Sequence, residues 1–369
     1  MEHDMKRVTT PESAVGATGE QSPNYGNNDI IAEEAQDFNR HDGSLITLSM
    51  TELYDTAYPP KAVIVDNLLY AGTYLFVGAP KIGKSFFMAQ LSYQIATGSN
   101  LWHYPVHQGE VLYLALEDDY ARIQKRLYKM YGKDDTEHLH FATQSRTLSG
   151  GLNEQLDEFI REHPNTRLII IDTLQKVREI AGEKYSYAND YEIVAKLKGF
   201  SDKHNLCLLV VHHTRKMESE DSFDMISGTN GLLGAADGAF ILQKKKRTEN
   251  TAILSIVGRD QQDQELTLRF DHEHCIWQLI RAETEVWKAP PDPVLSAVAK
   301  LVTPLTPVWR GTSSELLASL LDPTLLPHHL TKHLNANVDR LYNEYGIMYE
   351  TGRNRAGRFI VLTLTKTTA

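Results

Sequence analysis

The sequence predicts an α/β fold: a mostly parallel sheet covered by helices on both faces, an antiparallel extension of that sheet, and a smaller module after it. Three observations predict it. Short, nearly continuous apolar runs such as Leu168–Ile171 and Leu206–Val211 alternate with stretches of helical pattern, and such runs suit strands that crossover helices bury on both faces. After Gly238 the helical stretches stop and four strand-like runs succeed one another. Beyond the proline-rich Ala289–Pro293 the pattern changes again, to three helices and two strands around a turn.

Taken in order, residues 1–45 are rich in Asp, Glu, Asn, Gly and Ser and poor in apolar groups, so a disordered acidic tail is expected there. Tyr74–Gly78 reads as a strand and Lys84–Thr97 as a helix; Val111–Leu116 is a strand and Tyr120–Tyr131 a helix. A strand near His138–Ala142 precedes a helix over Asn153–Glu162. The strand Leu168–Ile171, a helix over Asp190–His204 and the strand Leu206–Val211 continue the alternation, which requires crossover connections and hence parallel pairing. Phe240–Gln243, Ala252–Val257, Glu265–Phe270 and Cys275–Leu279 follow without helices between them, so they should pair antiparallel. In the last module, helices are expected over Val294–Leu301, from Thr312, and over Leu330–Tyr345. The second opens on Thr312-Ser313-Ser314-Glu315, a capping box whose hydroxyl and carboxylate satisfy free amides of the first turn. Ile347–Glu350 and Phe359–Leu364 then flank a turn holding Arg353, Asn354, Arg355 and Gly357. The expected organisation is a tail over 1–45, an α/β domain over 46–285 and a module over 286–369.

Composition narrows the function classes. With 41% apolar and 23% charged residues the chain is an ordinary soluble protein. Its apolar runs fall far short of the roughly 18 residues a membrane helix needs. Met1-Glu2-His3-Asp4 shows no basic region leading into an apolar core. A cytoplasmic chain with no membrane partner is therefore expected. Cys207 and Cys275 both sit in apolar runs and read as buried free thiols in a reducing compartment. A net charge of −10 does not suggest a surface coated in nucleic acid, although local basic faces remain open to it.

The chemistry begins at Gly78-Ala79-Pro80-Lys81-Ile82-Gly83-Lys84-Ser85, a G-x-x-x-x-G-K-S motif between a strand and a helix. Glycines let the backbone curl so that successive amides face a β-phosphate, and the helix N-terminus adds partial positive charge. Lys84 is placed to neutralise β- and γ-phosphates, and Ser85 to ligate Mg²⁺. A second magnesium partner belongs at the end of a neighbouring buried strand, where Leu168–Ile171 is followed by Asp172. Hydrolysis also needs a group to orient and deprotonate water. Val111–Leu116 runs into Glu117-Asp118-Asp119, at the strand edge where ligands of such sheets lie. Glu117, first off the strand, is the expected base, while Asp118 and Asp119 can instead cap the next helix. ATP and Mg²⁺ are thus the expected cofactors.

With these motifs, residues Asp66–Leu279 resemble the RecA-like hexameric helicases, especially the plasmid RepA and DnaB-type replicative group. The resemblance also rests on Asp172 followed by Thr173, on Val211-His212-His213-Thr214-Arg215-Lys216, and on Ser227-Gly228-Thr229 leading to Ala235-Ala236-Asp237. It implies a RecA-like P-loop core in which His213 senses the γ-phosphate and signals to a nearby DNA-binding loop. Arg259 falls where the family carries an arginine finger that acts on the neighbouring subunit. DnaB-type enzymes often carry a Lys two residues before that Arg, and this chain has Val257. The loop Arg215–Ile226 lies where relatives line a channel for single-stranded DNA. Arg215 and Lys216 suit phosphates there, whereas Glu218, Glu220, Asp221 and Asp224 would repel them. The run Lys244-Lys245-Lys246-Arg247 is a second basic candidate, or a solvated hairpin turn.

Three helices and a hairpin are the order of a winged helix, a module that docks on DNA or on protein. Lys332, Asn335 and Arg340 on its third helix, with Arg353, Arg355 and Arg358 at the hairpin, would form its basic face. The expectation is a homo-oligomeric ring, six subunits by resemblance, that hydrolyses ATP between subunits, moves on single-stranded DNA and works with other replication proteins. A DNA-binding regulator switched by ATP, and a helicase loader or recombination accessory, are the rival readings.

Overall fold

The computed structural model of the chain describes residues 45, 47–178, 187–213, 230–244, 246, 248–283, 289–320, 326–354 and 357–365. The expected acidic tail, the loop 215–226, and Arg215, Lys216 and Arg355 lie outside the described residues. Two compact units are present: Pro60–Ser296, and a second made of Met1–Pro59 with Ala297–Ala369.

Helix α1 (Met50–Asp55) opens on a capping box, with the Glu52 amide donating to Ser49 Oγ and the Ser49 amide to the Glu52 carboxylate. It belongs to the second unit, although the sequence groups it with residues 46–285. None of its residues is buried, so no apolar stripe in the sequence announces what it touches.

In the Pro60–Ser296 unit, β1 (Val63–Val65) and β2 (Leu69–Tyr70) form a small antiparallel pair. The alternating series follows: β3 (Gly72–Gly78), α2 (Lys84–Thr97), β4 (Glu110–Ala115), α3 (Tyr120–Tyr131), β5 (Leu139–Ala142), α4 (Leu152–Glu162), β6 (Thr166–Asp172), α5 (Leu174–Val177), α6 (Tyr187–His204), β7 (Cys207–His213), α7 (Asn230–Ala235) and β8 (Gly238–Gln243). Three strands close it, β9 (Thr251–Gly258), β10 (Gln264–Asp271) and β11 (Ile276–Ala282). All nine strands from β3 to β11 share one sheet in the order β11-β10-β9-β8-β3-β7-β6-β4-β5. From β8 to β5 the pairing is parallel, and β9, β10 and β11 continue it as an antiparallel meander. This is the mostly parallel sheet with an antiparallel extension that the sequence predicts.

Alternation along each strand divides the core. Phe76, Tyr113, Ile170, Leu209 and Phe240 face the side covered by Phe87, Leu91 and Ile95 of α2. Leu75, Val77, Leu114, Ile171 and Val210 face Leu156 of α4 and Leu197 and Phe200 of α6. Burial on both faces explains why the central strands read as unbroken apolar runs. The strand carrying the glycine-rich motif, β3, lies between β7 and β8 in the middle of the sheet. Its start is pinned by the buried Asp237, which accepts from the Thr73 amide at 2.9 Å and from Lys198 Nζ at 2.6 Å. Cys207 and Cys275 are buried free thiols. Among the described residues no helix is long and apolar enough to cross a membrane.

After α8 (Pro293–Ala299), the chain runs through β12 (Val308–Gly311), α9 (Ser313–Leu320), α10 (Pro327–Asn335), α11 (Val338–Tyr345), β13 (Ile347–Asn354) and β14 (Gly357–Leu364). The three strands form an antiparallel sheet in the order β12-β14-β13. Thr312 caps α9 with Glu315 as the sequence predicts. Two features correct the sequence reading. Strand β12 is only four residues long and escapes the sequence reading, and the single helix expected over Leu330–Tyr345 is two. Asn337 Nδ2 donates to the His333 carbonyl at 2.8 Å, taking a helix acceptor for a side chain and ending α10. Asn335 does not belong to an exposed basic face: it is buried, donating to the Tyr54 carbonyl and accepting from the Tyr349 hydroxyl at 2.8 Å.

Candidate functional site: a phosphate loop at the sheet edge

The loop Gly78–Ser85 leaves the C-terminal end of β3 and enters α2 at Lys84. Gly83 immediately precedes the helix with φ +108°, and Lys81 also has positive φ. A Cβ on Gly83 would stand 2.9 Å from the Trp277 ring, and one on Gly78 would stand 2.8 Å from the Leu242 carbonyl. Both glycines are therefore demanded by close approach. Trp277 is fully buried beneath the loop, donating Nε1–H to the Gly83 carbonyl at 3.2 Å. Its backbone is clamped by Gln90, which accepts from the Trp277 amide at 2.7 Å and donates to its carbonyl at 2.9 Å. Lys244 lies over the indole, 5.4 Å from the ring, so this member of the basic run packs on the core; Lys245 and Arg247 lie outside the described residues. Gly83→Ala should cost about 1–3 kcal/mol from strain at this φ and should weaken nucleotide binding. Chemical denaturation and nucleotide titration check both parts.

Around the loop, three neighbouring strand ends deliver the other groups. Lys84 Nζ donates to the carbonyls of Gly78 at 2.7 Å and Ala79 at 3.1 Å, and to His213 Nδ1 at 2.8 Å. Because an ammonium can only donate, His213 accepts at Nδ1 and carries its proton on Nε2. That nitrogen faces Glu117 Oε2 at 3.7 Å, longer than a hydrogen bond. Glu117 in turn accepts from Thr173 Oγ1 at 3.2 Å. Asp172, at the end of β6 and 7% exposed, accepts from Ser85 Oγ at 3.1 Å and from the Tyr113 hydroxyl at 2.8 Å.

The electrostatics follow from burial. Desolvation lowers the Lys84 ammonium to about 8, with Asp172 and Glu117 pulling it back up. Burial also raises Asp172, opposed by the hydrogen bonds from Tyr113 and Ser85. An under-solvated cation facing an under-solvated carboxylate is suited to a ligand that brings negative charge and a divalent cation together.

The three consecutive carboxylates separate cleanly. Asp119 caps α3, accepting from the Arg122 amide at 2.8 Å, and Asp118 pairs with Arg126 at 2.6 Å. Only Glu117 contacts the His213 and Thr173 side chains of the site. Lys84, Ser85, Asp172, Glu117 and His213 are thus brought together, and Arg259 is not. Arg259 follows Gly258, which pairs with Gly238; Gly238 pairs with Tyr74, at the other end of β3 from the loop. Four residues of strand, about 13 Å at 3.3 Å each, separate the two levels. Arg259 is exposed and donates to the Gly234 carbonyl at 2.8 Å. Sequence reasoning missed Tyr113, Trp277 and Gln90, whose roles depend on which strands lie side by side.

Part of the chain matches a known family model. Residues 43–219 match the family described as AAA domain. No curated protein matches the chain. Among solved structures, one titled as an ATPase domain is similar at 13% identity, over 70% of this chain and 100% of that one, with TM-score 0.49. A second similar structure is titled "The Structure Of A DnaB-Like Replicative Helicase And Its Interactions With Primase". It is 14% identical over 68% of this chain and 67% of its own, also with TM-score 0.49.

Proposed function

We propose that this chain is an ATP-hydrolysing motor that assembles into a ring, hexameric by resemblance, and moves on single-stranded DNA to unwind duplex in replication. In this reading the loop amides and Lys84 hold the β- and γ-phosphates, while Ser85 and Asp172 hold Mg²⁺. The paired glycines, the helix start and the under-solvated charges at Lys84 and Asp172 fit that ligand. Bound magnesium supplies charge neutralisation at the transferred phosphoryl group. Glu117 accepts the proton of the attacking water, and His213, touching both Lys84 and Glu117, links phosphate occupancy to the base.

The observation that carries ring action is the position of Arg259, a strand's length from the phosphate loop of its own chain. As a finger it can serve only the site of another copy. Arg259→Ala should retain nucleotide binding and lose about 10³-fold in hydrolysis. Lys84→Ala should be inactive as well, yet mixing the two variants should restore hydrolysis at interfaces that join an intact loop to an intact Arg259. Mixed samples no more active than either parent would refute action across an interface. Unwinding is tested by strand displacement with ATP, using Lys84→Ala as the blank. DNA-stimulated hydrolysis without displacement would favour an ATP-switched regulator or loader.

For the C-terminal unit we propose a winged helix that contacts nucleic acid. The strand–helix–helix–helix–strand–strand order from β12 to β14 and the central position of β14 support it. Arg353 and Arg358 face each other across the hairpin, a like-charge pair that costs stability unless an anion lies near. Asp55 partly meets that need at 3.6 Å from Arg358. Lys332 rests over the Tyr54 ring and Arg340 pairs with Glu344, so Arg353 leads this face, with Arg215 and Lys216 proposed for the channel loop.

A further inference from the structure

At the end of the parallel strands away from the phosphate loop, Glu110, His140 and His163 converge from three separate elements. Glu110 is the first residue of β4, His140 the second of β5, and His163 the C-cap of α4. His140 Nε2 lies 2.8 Å from Glu110 Oε2, and His163 Nδ1 lies 3.9 Å from the same oxygen. One carboxylate oxygen and two imidazole nitrogens thus stand within 4.8 Å of one another. We propose that these three residues form a binding site for a divalent transition metal of the zinc class, independent of the nucleotide site.

The chemistry selects the metal. Two imidazoles and one carboxylate suit zinc and its neighbours, whereas Mg²⁺ and Ca²⁺ favour all-oxygen sets. Metal–ligand bonds of about 2.0–2.2 Å arranged tetrahedrally place ligand atoms about 3.3 Å apart, between the two distances seen here. Water fills the fourth position. The backbone around the ligands is already tied. The Glu110 amide donates to the Asn165 carbonyl at 3.0 Å, the Val111 amide to that of His138 at 2.9 Å, and the Thr166 amide to that of His163 at 3.0 Å. Phe159 stacks on the His163 ring, with centroids 4.4 Å apart, and meets His140 edge-on. His138 Nδ1 holds the other carboxylate oxygen at 2.7 Å, the outer partner that orients a metal-bound carboxylate. Partial burial, with side-chain exposures of 16%, 29% and 28%, leaves the site reachable while shielding it. The bound ion would fasten the four-residue edge strand β5, which has β4 as its single neighbour in the sheet, to the end of α4.

The test uses the full chain, stripped with chelator, free of nucleotide and titrated with Co²⁺, then with Zn²⁺ in competition. One equivalent of Co²⁺ should give the visible absorption of a tetrahedral N/O site, displaced by Zn²⁺. His163→Ala and the near-isosteric Glu110→Gln should each lower affinity at least about 100-fold, and His138→Ala about 10- to 100-fold. A His328→Ala, His329→Ala double variant, at the start of α10, should bind as the parent does. Circular dichroism confirms that each variant is folded, and Glu110→Gln decides the matter if His163→Ala is not. The proposal fails if the parent shows no tetrahedral spectrum, or if Glu110→Gln binds Co²⁺ as tightly as the parent.

Discussion

Lys84→Met should abolish ATP hydrolysis and weaken Mg·ATP binding by about 2–5 kcal/mol, the scale expected when one partner of a buried charge interaction is removed. The same substitution should have an opposite effect on the nucleotide-free fold. Burial holds the Lys84 ammonium at about 8, below its ordinary 10.5. Between those two values the unfolded chain binds more protons than the folded one, so the parent gains stability as pH rises through that window. The Met variant lacks this dependence. Its stability relative to the parent should therefore be greatest below pH 8 and decline by about 3 kcal/mol by pH 10.5. Denaturant unfolding of both proteins across that range, beside calorimetric nucleotide titration at neutral pH, checks the two halves. A stability difference flat with pH would show that Lys84 is not held in a desolvated cationic state.

Glu117→Gln separates binding from chemistry. The amide keeps the acceptor for Thr173 but loses basicity, so nucleotide affinity should hold while hydrolysis slows about 10²- to 10⁴-fold, the usual worth of a general base. Single-turnover hydrolysis with equilibrium binding on the same preparation measures both. Hydrolysis within tenfold of the parent would remove Glu117 from the base role.

Legibility of these features in the sequence depends on how local their causes are. The convergence of loop 78–85 and Asp172 is readable because both lie within a few positions of the end of an apolar strand. Glu117 is readable as the first of three acids, though only the hydrogen bonds of Asp118 and Asp119 to Arg126 and Arg122 separate their duties. The contacts of Tyr113 with Asp172 and of Trp277 with Gly83 are not readable, since each follows from strand order and from helix α2 packing on β11. Periodicity likewise suggests one helix over Leu330–Tyr345, because apolar spacing continues across a break made by side-chain hydrogen bonds at Asn337.

Trp277 supports a loop that precedes it by 194 positions in the chain. A contact of that span forms only after a large loop closes, and during synthesis it waits for the last strand of the sheet to emerge. A fragment ending at residue 219, where the AAA match stops, holds every residue of the G-x-x-x-x-G-K-S motif but lacks the indole beneath it. The loop's support is thus acquired late, when β11 joins, and truncation to the matched segment leaves the motif without its foundation.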